Sequence, residues 1–147
     1  MAQSITQRII DAVIAALKAA APVGRKVRKG RKSPQNESQM PMVQVYWHQE
    51  TPVGVGNPRK PMMMTRHMVL ELKVTVAGED DAFDIERQWV VAAMWNAGTL
   101  DGLAKNISEA ETVPFLEESS VNDSITAGAI RYAVEYATLP GDLTAAI

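Results

Sequence analysis

The chain's two histidines, His48 and His67, are candidates for metal binding or proton transfer. Each lies in or beside a stretch typical of a β-strand, so a hairpin would let them face each other. Glu50 or Glu71 would then supply a carboxylate ligand. No H-x-x-x-H or H-x-H spacing supports such a ligand set. We therefore interpret both histidines as surface or hydrogen-bonded side chains, and we expect no metal and no other cofactor.

Other catalytic motifs are missing from the sequence. It contains no cysteine, which excludes a disulfide framework, a thiolate metal site and a cysteine nucleophile. It has no G-x-S-x-G elbow, no P-loop and no G-x-G-x-x-G motif. The acid pairs Asp80-Asp81 and Glu117-Glu118 are adjacent in sequence, which favours solvated side chains over an acid–base pair. The sequence does not indicate an enzyme.

A strongly basic segment occupies residues 25–32. Six of its eight residues are cations: Arg25, Lys26, Arg28, Lys29, Arg31 and Lys32. Clustered cations replace the counterions of phosphates, so the segment carries enough charge for nonspecific DNA binding. No aromatic residues for base stacking surround it, and no recognition helix follows it. An acidic protein surface is an equally good hypothesis for its partner.

Charge is divided unevenly along the chain. Residues 1–66 contain 11 Lys/Arg and 3 Asp/Glu, a net charge of +8, whereas residues 67–147 contain 4 Lys/Arg and 14 Asp/Glu, a net charge of −10. If folding separates the two sets, the particle is dipolar and suited to head-to-tail association. The acid pairs at residues 80–81 and 117–118 are then candidates for the acidic side of that contact. If folding interleaves the two sets, the surface is mixed, and the sequence leaves both outcomes open.

A second candidate contact surface is the methionine run Met62, Met63 and Met64. Residues 51–61 contain three prolines and two glycines, which is typical of a long turn or flap. Three flexible thioether side chains on a flap suit an adaptable apolar contact, although they could also pack on the strand that follows. We expect flexible loops at residues 30–41 and 51–64, and a short tail at residues 140–147.

Hydrophobic periodicity predicts two helices in an α+β domain. Apolar residues every four positions indicate a helix over residues 5–20, capped by Ser4. A second helix is predicted over about residues 82–96, with Asp80 or Asp81 as its cap. No apolar run reaches the ~18 residues of a membrane span, and we read the N-terminal stretch as an amphipathic helix of a cytosolic protein rather than a signal peptide.

Alternating or β-branched stretches predict the strands. These are residues 42–48, 66–77, 111–121 with a break at Pro114, and 129–138, with a possible short strand at 24–29. In residues 66–77 one face is expected to be core and the other mostly solvent-exposed. The order helix, hairpin, helix, hairpin predicts a two-layer sandwich, with about four to five mainly antiparallel strands covered by two helices in a single domain of residues 1–147.

The layout resembles that of the tail terminator proteins of long-tailed bacteriophages, a minor tail protein family. The resemblance is carried by the segments ITQRIIDAVIAALKA, PMVQVYWHQE, HMVLELKVTVAG, EDDAFDIERQWVVAAMW and AIRYAVEYATLPGD, and it covers about residues 4–142. These segments share an order of elements and a few dipeptides with the family, with no catalytic signature. The basic segment and the methionine run match no family pattern.

This resemblance implies a structural subunit of a homohexameric ring. Such a ring caps the tail tube, ends its polymerisation and presents a surface for joining the tail to the head. Its partners would be further copies of itself, the tail-tube protein and a head–tail connector or neck protein. DNA would pass through the lumen without sequence-specific binding. The protein would be made in the host cytoplasm and reside in the virion, with no membrane partner.

Two alternatives remain open at this point. One is a head–tail connector or completion protein of similar size. The other is a monomeric or dimeric nucleic-acid-binding protein that uses residues 25–32 as an arm. In the ring interpretation, residues 51–64 and 32–40 are candidate loops that reach a neighbouring layer of the tail.

Overall fold

A computed structural model of the protein describes residues 2–32, 34, 37–57, 59–114, 125–145 and 147. Over these residues the chain forms two α-helices and five β-strands. Their bounds are α1 Ile5–Ala20, β1 Lys26–Lys29, β2 Met42–Asn57, β3 Lys60–Ala77, α2 Asp80–Ala97, β4 Asn106–Pro114 and β5 Ile125–Thr138. A single 3₁₀ turn, Glu37–Gln39, lies between β1 and β2, inside the predicted loop at residues 30–41.

The strands form one mixed sheet in the order β1-β2-β3-β5-β4. Every pairing is antiparallel except β1 with β2, which is parallel. Both hairpins share the sheet because β3 pairs with β5. The two helices pack on one face, where their apolar residues join those of the strands in a single core. The predicted α+β two-layer sandwich is confirmed.

Helix α1 follows the prediction made from its sequence. The Ser4 hydroxyl accepts a hydrogen bond from the backbone N–H of Gln7 at 3.2 Å, which satisfies one of the free donors of the first turn. Its buried residues recur at helical spacing: Ile5, Ile9, Ile10, Val13 and Leu17. This apolar stripe accounts for the amphipathic pattern as core packing.

Helix α2 begins two residues earlier than predicted. Glu79 occupies the N-cap position and makes no side-chain capping bond, so neither Asp80 nor Asp81 is the cap. Both aspartates belong instead to the first turn, where a negative charge opposes the helix dipole favourably. Asp81 also accepts a hydrogen bond from the backbone N–H of Ala82 at 3.0 Å.

The prediction of a flap at residues 51–64 was wrong. Strands β2 and β3 stay paired as far as Asn57 and Lys60, so this segment is an antiparallel hairpin. In the described structure Pro52 has no strand on the outer side of β2 and Pro61 has none on the outer side of β3, because β1 pairs with β2 only up to Val45 and β5 meets β3 from Met64 onward. A missing N–H at such an edge costs no ladder bond.

The face of β3 that we expected to be solvent-exposed is buried around its middle. Glu71, Lys73 and Thr75 are each no more than 5% exposed. Strands β2 and β5 flank them on both sides. Residues 30–32 also lie against this face, since the Gln44 side-chain amide donates to the carbonyls of Gly30 and Lys32 at 3.2 and 2.6 Å. Their burial depends on cross-strand neighbours that local alternation does not reveal.

Strand β4 begins at Asn106 and ends at Pro114, whereas the sequence predicted a strand over residues 111–121. Residues 115–121, and with them Glu117 and Glu118, lie outside the described residues. The tail is held by two backbone bonds. Ile5 N–H donates to the carbonyl of Leu143 at 2.8 Å, and Ile147 N–H donates to that of Ala137 at 3.1 Å.

Substitution of Gly128 tests how tightly α2 packs on the sheet. A Cβ at this position would lie 2.5 Å from Phe83 Cε2, which is closer than atoms in a folded protein approach. We expect Gly128→Ala to lower the free energy of unfolding by about 1–3 kcal/mol, measured by urea denaturation. Adding Phe83→Leu to Gly128→Ala should cost less than the sum of the two single changes. If the two effects were strictly additive, a clash with the aromatic ring of Phe83 would not be the cause of the destabilisation by Gly128→Ala.

Candidate functional site

Arg25, the first cation of the basic segment, forms an ion pair within the chain. Its Nε lies 2.9 Å from Glu86 Oε1 of α2. Glu86 is only 3% exposed, and Trp89 Nε1 donates to its other carboxylate oxygen. A buried carboxylate needs such charged and polar partners. The pair ties the start of the basic segment to α2.

Two further cations of the segment also have intramolecular partners. Lys29 Nζ lies 2.9 Å from Asp11 Oδ1 of α1, and this contact is the largest cause of the lowered pKa of Asp11. Arg31 donates from Nη2 to the carbonyl of Trp47 at 2.6 Å, and its guanidinium lies 4.8 Å from the centre of the Tyr46 ring.

The basic segment is therefore a strand at an edge of the sheet. Lys26 and Arg28 point to the face opposite the helices, and Lys26 Nζ donates to the carbonyl of Ser38 at 2.7 Å. Arg28 and Lys32 are exposed. The segment thus gives one side of the molecule a basic edge, which we define as β1 together with Gly30, Arg31 and Lys32.

The opposite edge of the sheet, strand β4, is acidic. Glu109 and Glu111 are exposed there, and β4 itself contains no lysine or arginine. Glu111 lies 2.6 Å from Arg131, which also bonds Glu71 at 2.8 Å. Burial works to raise the pKa of Glu71, but hydrogen bonds from Tyr46 and Arg131 outweigh it and hold the pKa below its usual value.

The end of the β2–β3 hairpin carries exposed apolar side chains. We call residues 51–63 the hairpin arm. Val53 and Val55 are 47% and 43% exposed, and Met62, the extra residue of a bulge opposite Val55, is 80% exposed. Met63 and Met64 are partly buried. A two-stranded hairpin is marginally stable alone, and exposed apolar side chains on one suit a contact with a partner surface.

A polar network holds the base of the hairpin arm against α1 and β5. Tyr136 is only 1% exposed. Its hydroxyl lies 2.7 Å from Thr6 Oγ1 and donates a hydrogen bond to Glu50 Oε1. Arg66 bonds the second Glu50 oxygen at 3.4 Å and Thr138 Oγ1 at 3.0 Å. The base is thus fixed in direction by both helix and sheet.

A groove lies between the outer face of α2 and β4. Its volume is about 660 Å³, and its lining is Asp84, Arg87, Gln88, Val91, Ala92, Trp95, Asn96 and Glu109. Trp95 is 85% exposed, and Ile85, on the same side of the helix, is 58% exposed. An indole exposed to this extent beside an apolar groove is typical of a contact surface.

The sequence analysis did not single out this groove. The sequence feature that could have revealed it lies in α2. Phe83, Val90 and Met94 form the stripe that is buried in the core, and the helix has further apolar residues outside this stripe. Ile85 and Trp95 lie away from that stripe. An amphipathic helix that packs on one side only would place polar residues there.

The predicted candidate residues do not form one site. The six cations lie at and beside one edge, Met62 and Met63 lie on the arm with Met64 directly after it, and Asp80 and Asp81 lie at the start of α2. His48 falls at a bulge of β2, while His67 pairs with Thr51, and both are exposed. The described residues contain no group of three or more potential ligands that could hold a metal ion.

No family model matches the chain, and no curated protein is significantly similar to it. Within the described part of the chain, neither helix has the length and apolar content to cross a membrane.

Removal of Arg25 should destabilise the fold more than removal of its exposed neighbour. Arg25→Ala leaves the buried Glu86 carboxylate with fewer partners, and we expect a loss of about 1–3 kcal/mol in the free energy of unfolding. The matched variant Arg28→Ala should change it by less than about 0.5 kcal/mol. Urea denaturation of both variants measures the difference, and equal effects would contradict a structural role for the Arg25–Glu86 pair.

Two buried tyrosines should differ in how much stability they lose with the hydroxyl. Tyr136→Phe removes a bridge between Thr6 and Glu50, so we expect a loss of about 1–2 kcal/mol in the free energy of unfolding. The Tyr132 hydroxyl is buried and has no hydrogen-bond partner among the described residues. Tyr132→Phe should therefore cost less than about 0.5 kcal/mol or stabilise the protein.

The same pair makes a prediction about alkaline pH. Burial is the main cause that raises the pKa of Tyr132 and of Tyr136 to about 12, from 10.0. Between these values the folded protein keeps phenolic protons that the unfolded chain releases, so stability falls as pH rises from 10.0 to about 12. Denaturation over this range should show a shallower fall for Tyr132→Phe. An unchanged slope would contradict the burial of this hydroxyl.

Proposed function

We propose that this protein is a tail terminator of a long-tailed bacteriophage, a structural subunit of a hexameric ring. The ring caps the tail tube, stops its polymerisation and provides the surface on which head and tail join. The resemblance of the segments quoted above motivates the assignment, and the α+β sandwich with its two hairpins is compatible with it. The action is steric and adhesive, with no chemical turnover.

The observation that carries the proposal is the placement of opposite charge at the two edges of one sheet. The basic edge contains Arg28 and Lys32 at exposed positions, whereas the acidic edge contains Glu109 and Glu111. A head-to-tail ring requires two different, complementary surfaces on each copy. We assign these two surfaces to the basic and the acidic edge of the sheet.

The partners follow from this role. They are further copies of the chain, the tail-tube protein below the ring and a connector or neck protein above it. DNA passes through the lumen without sequence-specific binding. The protein is made in the host cytoplasm and ends in the virion.

The nucleic-acid-binding alternative has less support. Arg25, Lys29 and Arg31 already bind intramolecular partners, and β1 is a paired strand rather than an extended arm. Fewer cations are then available to replace phosphate counterions. A head–tail connector would share the edge charges, so it is separated from a terminator by its effect on tube growth.

Assembly of the purified protein tests the proposal. We expect six-fold rings in electron micrographs, a hexamer mass by light scattering or native mass spectrometry, and tail-tube polymerisation that stops when the protein is added. Rings that bind tubes without stopping their growth would favour the connector. A chain that remains monomeric at all concentrations, with and without tubes, would overturn the ring.

Charge variants refine this test. Arg28→Glu combined with Lys32→Glu should weaken assembly roughly tenfold and reduce its dependence on salt, because contacts between exposed opposite charges are screened by ions. Lys18→Glu changes an exposed lysine of α1 and serves as a matched control that should assemble normally. If the unchanged protein, the Arg28→Glu/Lys32→Glu variant and the Lys18→Glu variant assembled equally well, the charges of the basic edge would not drive assembly.

A further inference from the structure

In the part of the chain that the structure describes, no other element covers the hairpin arm or the groove on α2. We propose that the hairpin arm of one copy docks in the α2 groove of the next copy. This inference rests on the proposed ring, and it names the contact through which neighbouring subunits hold one another.

The apolar chemistry of the two surfaces matches. The arm presents Val53, Val55 and Met62 at 47%, 43% and 80% exposure. The groove presents Trp95 together with Val91 and Ala92. Tryptophan residues in pockets that lose water on binding contribute more than their share of interface affinity. Methionine adapts its flexible side chain to an irregular surface, which suits the bulged Met62 at the arm.

The charges around the two surfaces are complementary. The turn of the arm carries Arg59 and Lys60, both exposed. The groove is lined by Asp84 and Arg87 of α2 and by Glu109 of β4, so these three side chains carry one net negative charge. Arg87 already lies 3.7 Å from Asp84, which leaves Glu109 as the acidic side chain best suited to an incoming cation. Opposite charges at the rim orient the docking partner.

The contact is heterologous, because the arm and the groove are different parts of the chain. Each copy therefore offers one arm to a neighbour and one groove to another, and the series closes into a ring if the rotation per step divides the circle. The network that fixes the base of the arm, through Tyr136 and Glu50, limits the directions in which the arm can point. A fixed arm loses little conformational freedom on docking.

Cross-linking in a mixture of two variants tests the contact, and the absence of native cysteine makes each introduced thiol unique. One variant carries Met62→Cys on the arm, and the other carries Ala92→Cys in the groove and a size tag. A short bismaleimide should join the two variants in assembled protein. Val23→Cys replaces Met62→Cys in the control, since Val23 is 97% exposed and lies outside both surfaces.

The outcomes separate this contact from the ring itself. Cross-links several-fold above the Val23→Cys control, in protein that assembles, support docking of arm in groove. Assembly with cross-links no higher than the control overturns the docking and leaves the ring intact. A monomeric chain overturns both. An arm thiol that cross-links to the tail-tube protein instead would assign the arm to the tube and refute the docking between copies.

A charge exchange gives a second readout. Lys60→Glu alone and Glu109→Lys alone should each weaken assembly roughly tenfold, because each places like charges at the docked rim. An equimolar mixture of the two should assemble better than either variant alone, since an alternating ring restores an opposite pair wherever an arm meets a groove, although half of the acidic edges then lack Glu109. Failure of the mixture to recover, with both variants folded by circular dichroism, would count against the Lys60–Glu109 pairing and the docking it orients.

Discussion

The long antiparallel ladder between β2 and β3 is the constraint on which the rest of the structure depends. It runs from Met42 opposite Thr75 to Asn57 opposite Lys60, well beyond the point where the neighbouring strands stop. The inner part is flanked on both sides and buries its side chains. The outer part has no such neighbours in the described structure and forms the hairpin arm. One continuous element thus supplies both the centre of the core and the most exposed apolar surface of the sheet.

The order of strands converts the charge division of the sequence into a division in space. The parallel pairing of β1 with β2 sets the basic segment at one edge, and β4 beyond β5 sets acidic residues at the other. The separation of positive from negative side chains is incomplete. Arg25 forms an ion pair with Glu86 of α2, and Arg131 forms ion pairs with both Glu71 and Glu111. Those ion pairs bind the layers and strands together, while Arg28, Lys32 and Glu109 stay exposed at the edges.

Local sequence patterns predicted much of the fold. The four-residue spacing of apolar residues in α1 and the alternation in β3 reflect interactions within one element, so α1 was predicted at its full length and β3 over residues 66–77, without its first six residues. The flap prediction failed at Pro52 and Pro61 because proline is unfavourable inside a sheet but harmless on an unpaired edge. Whether a residue lies on such an edge depends on where the neighbouring strands end, and no local pattern contains that information.

The candidate site was less predictable for the same reason. Lys73 and Glu71 look like solvent-facing residues until β5 and β2 are placed beside them. The groove combines Trp95 of α2 with Glu109 of β4, which are brought together only by the tertiary fold. The methionine run could be singled out as a candidate contact surface because its composition alone is unusual. Its division into an exposed Met62 and partly buried neighbours required the bulge to be known.

A comparison of the two helices shows how core packing and surface contact are divided. Helix α1 buries its apolar stripe in the core and presents Asp11 and Lys18 to solvent, so its sequence reads as amphipathic. Helix α2 buries Phe83, Val90 and Met94 but keeps Ile85 and Trp95 outside. Exposed apolar residues of that size favour aggregation unless a partner covers them. The weaker amphipathic pattern of α2 is what the proposed second contact, with a neighbouring molecule, would require in addition to packing on its own sheet.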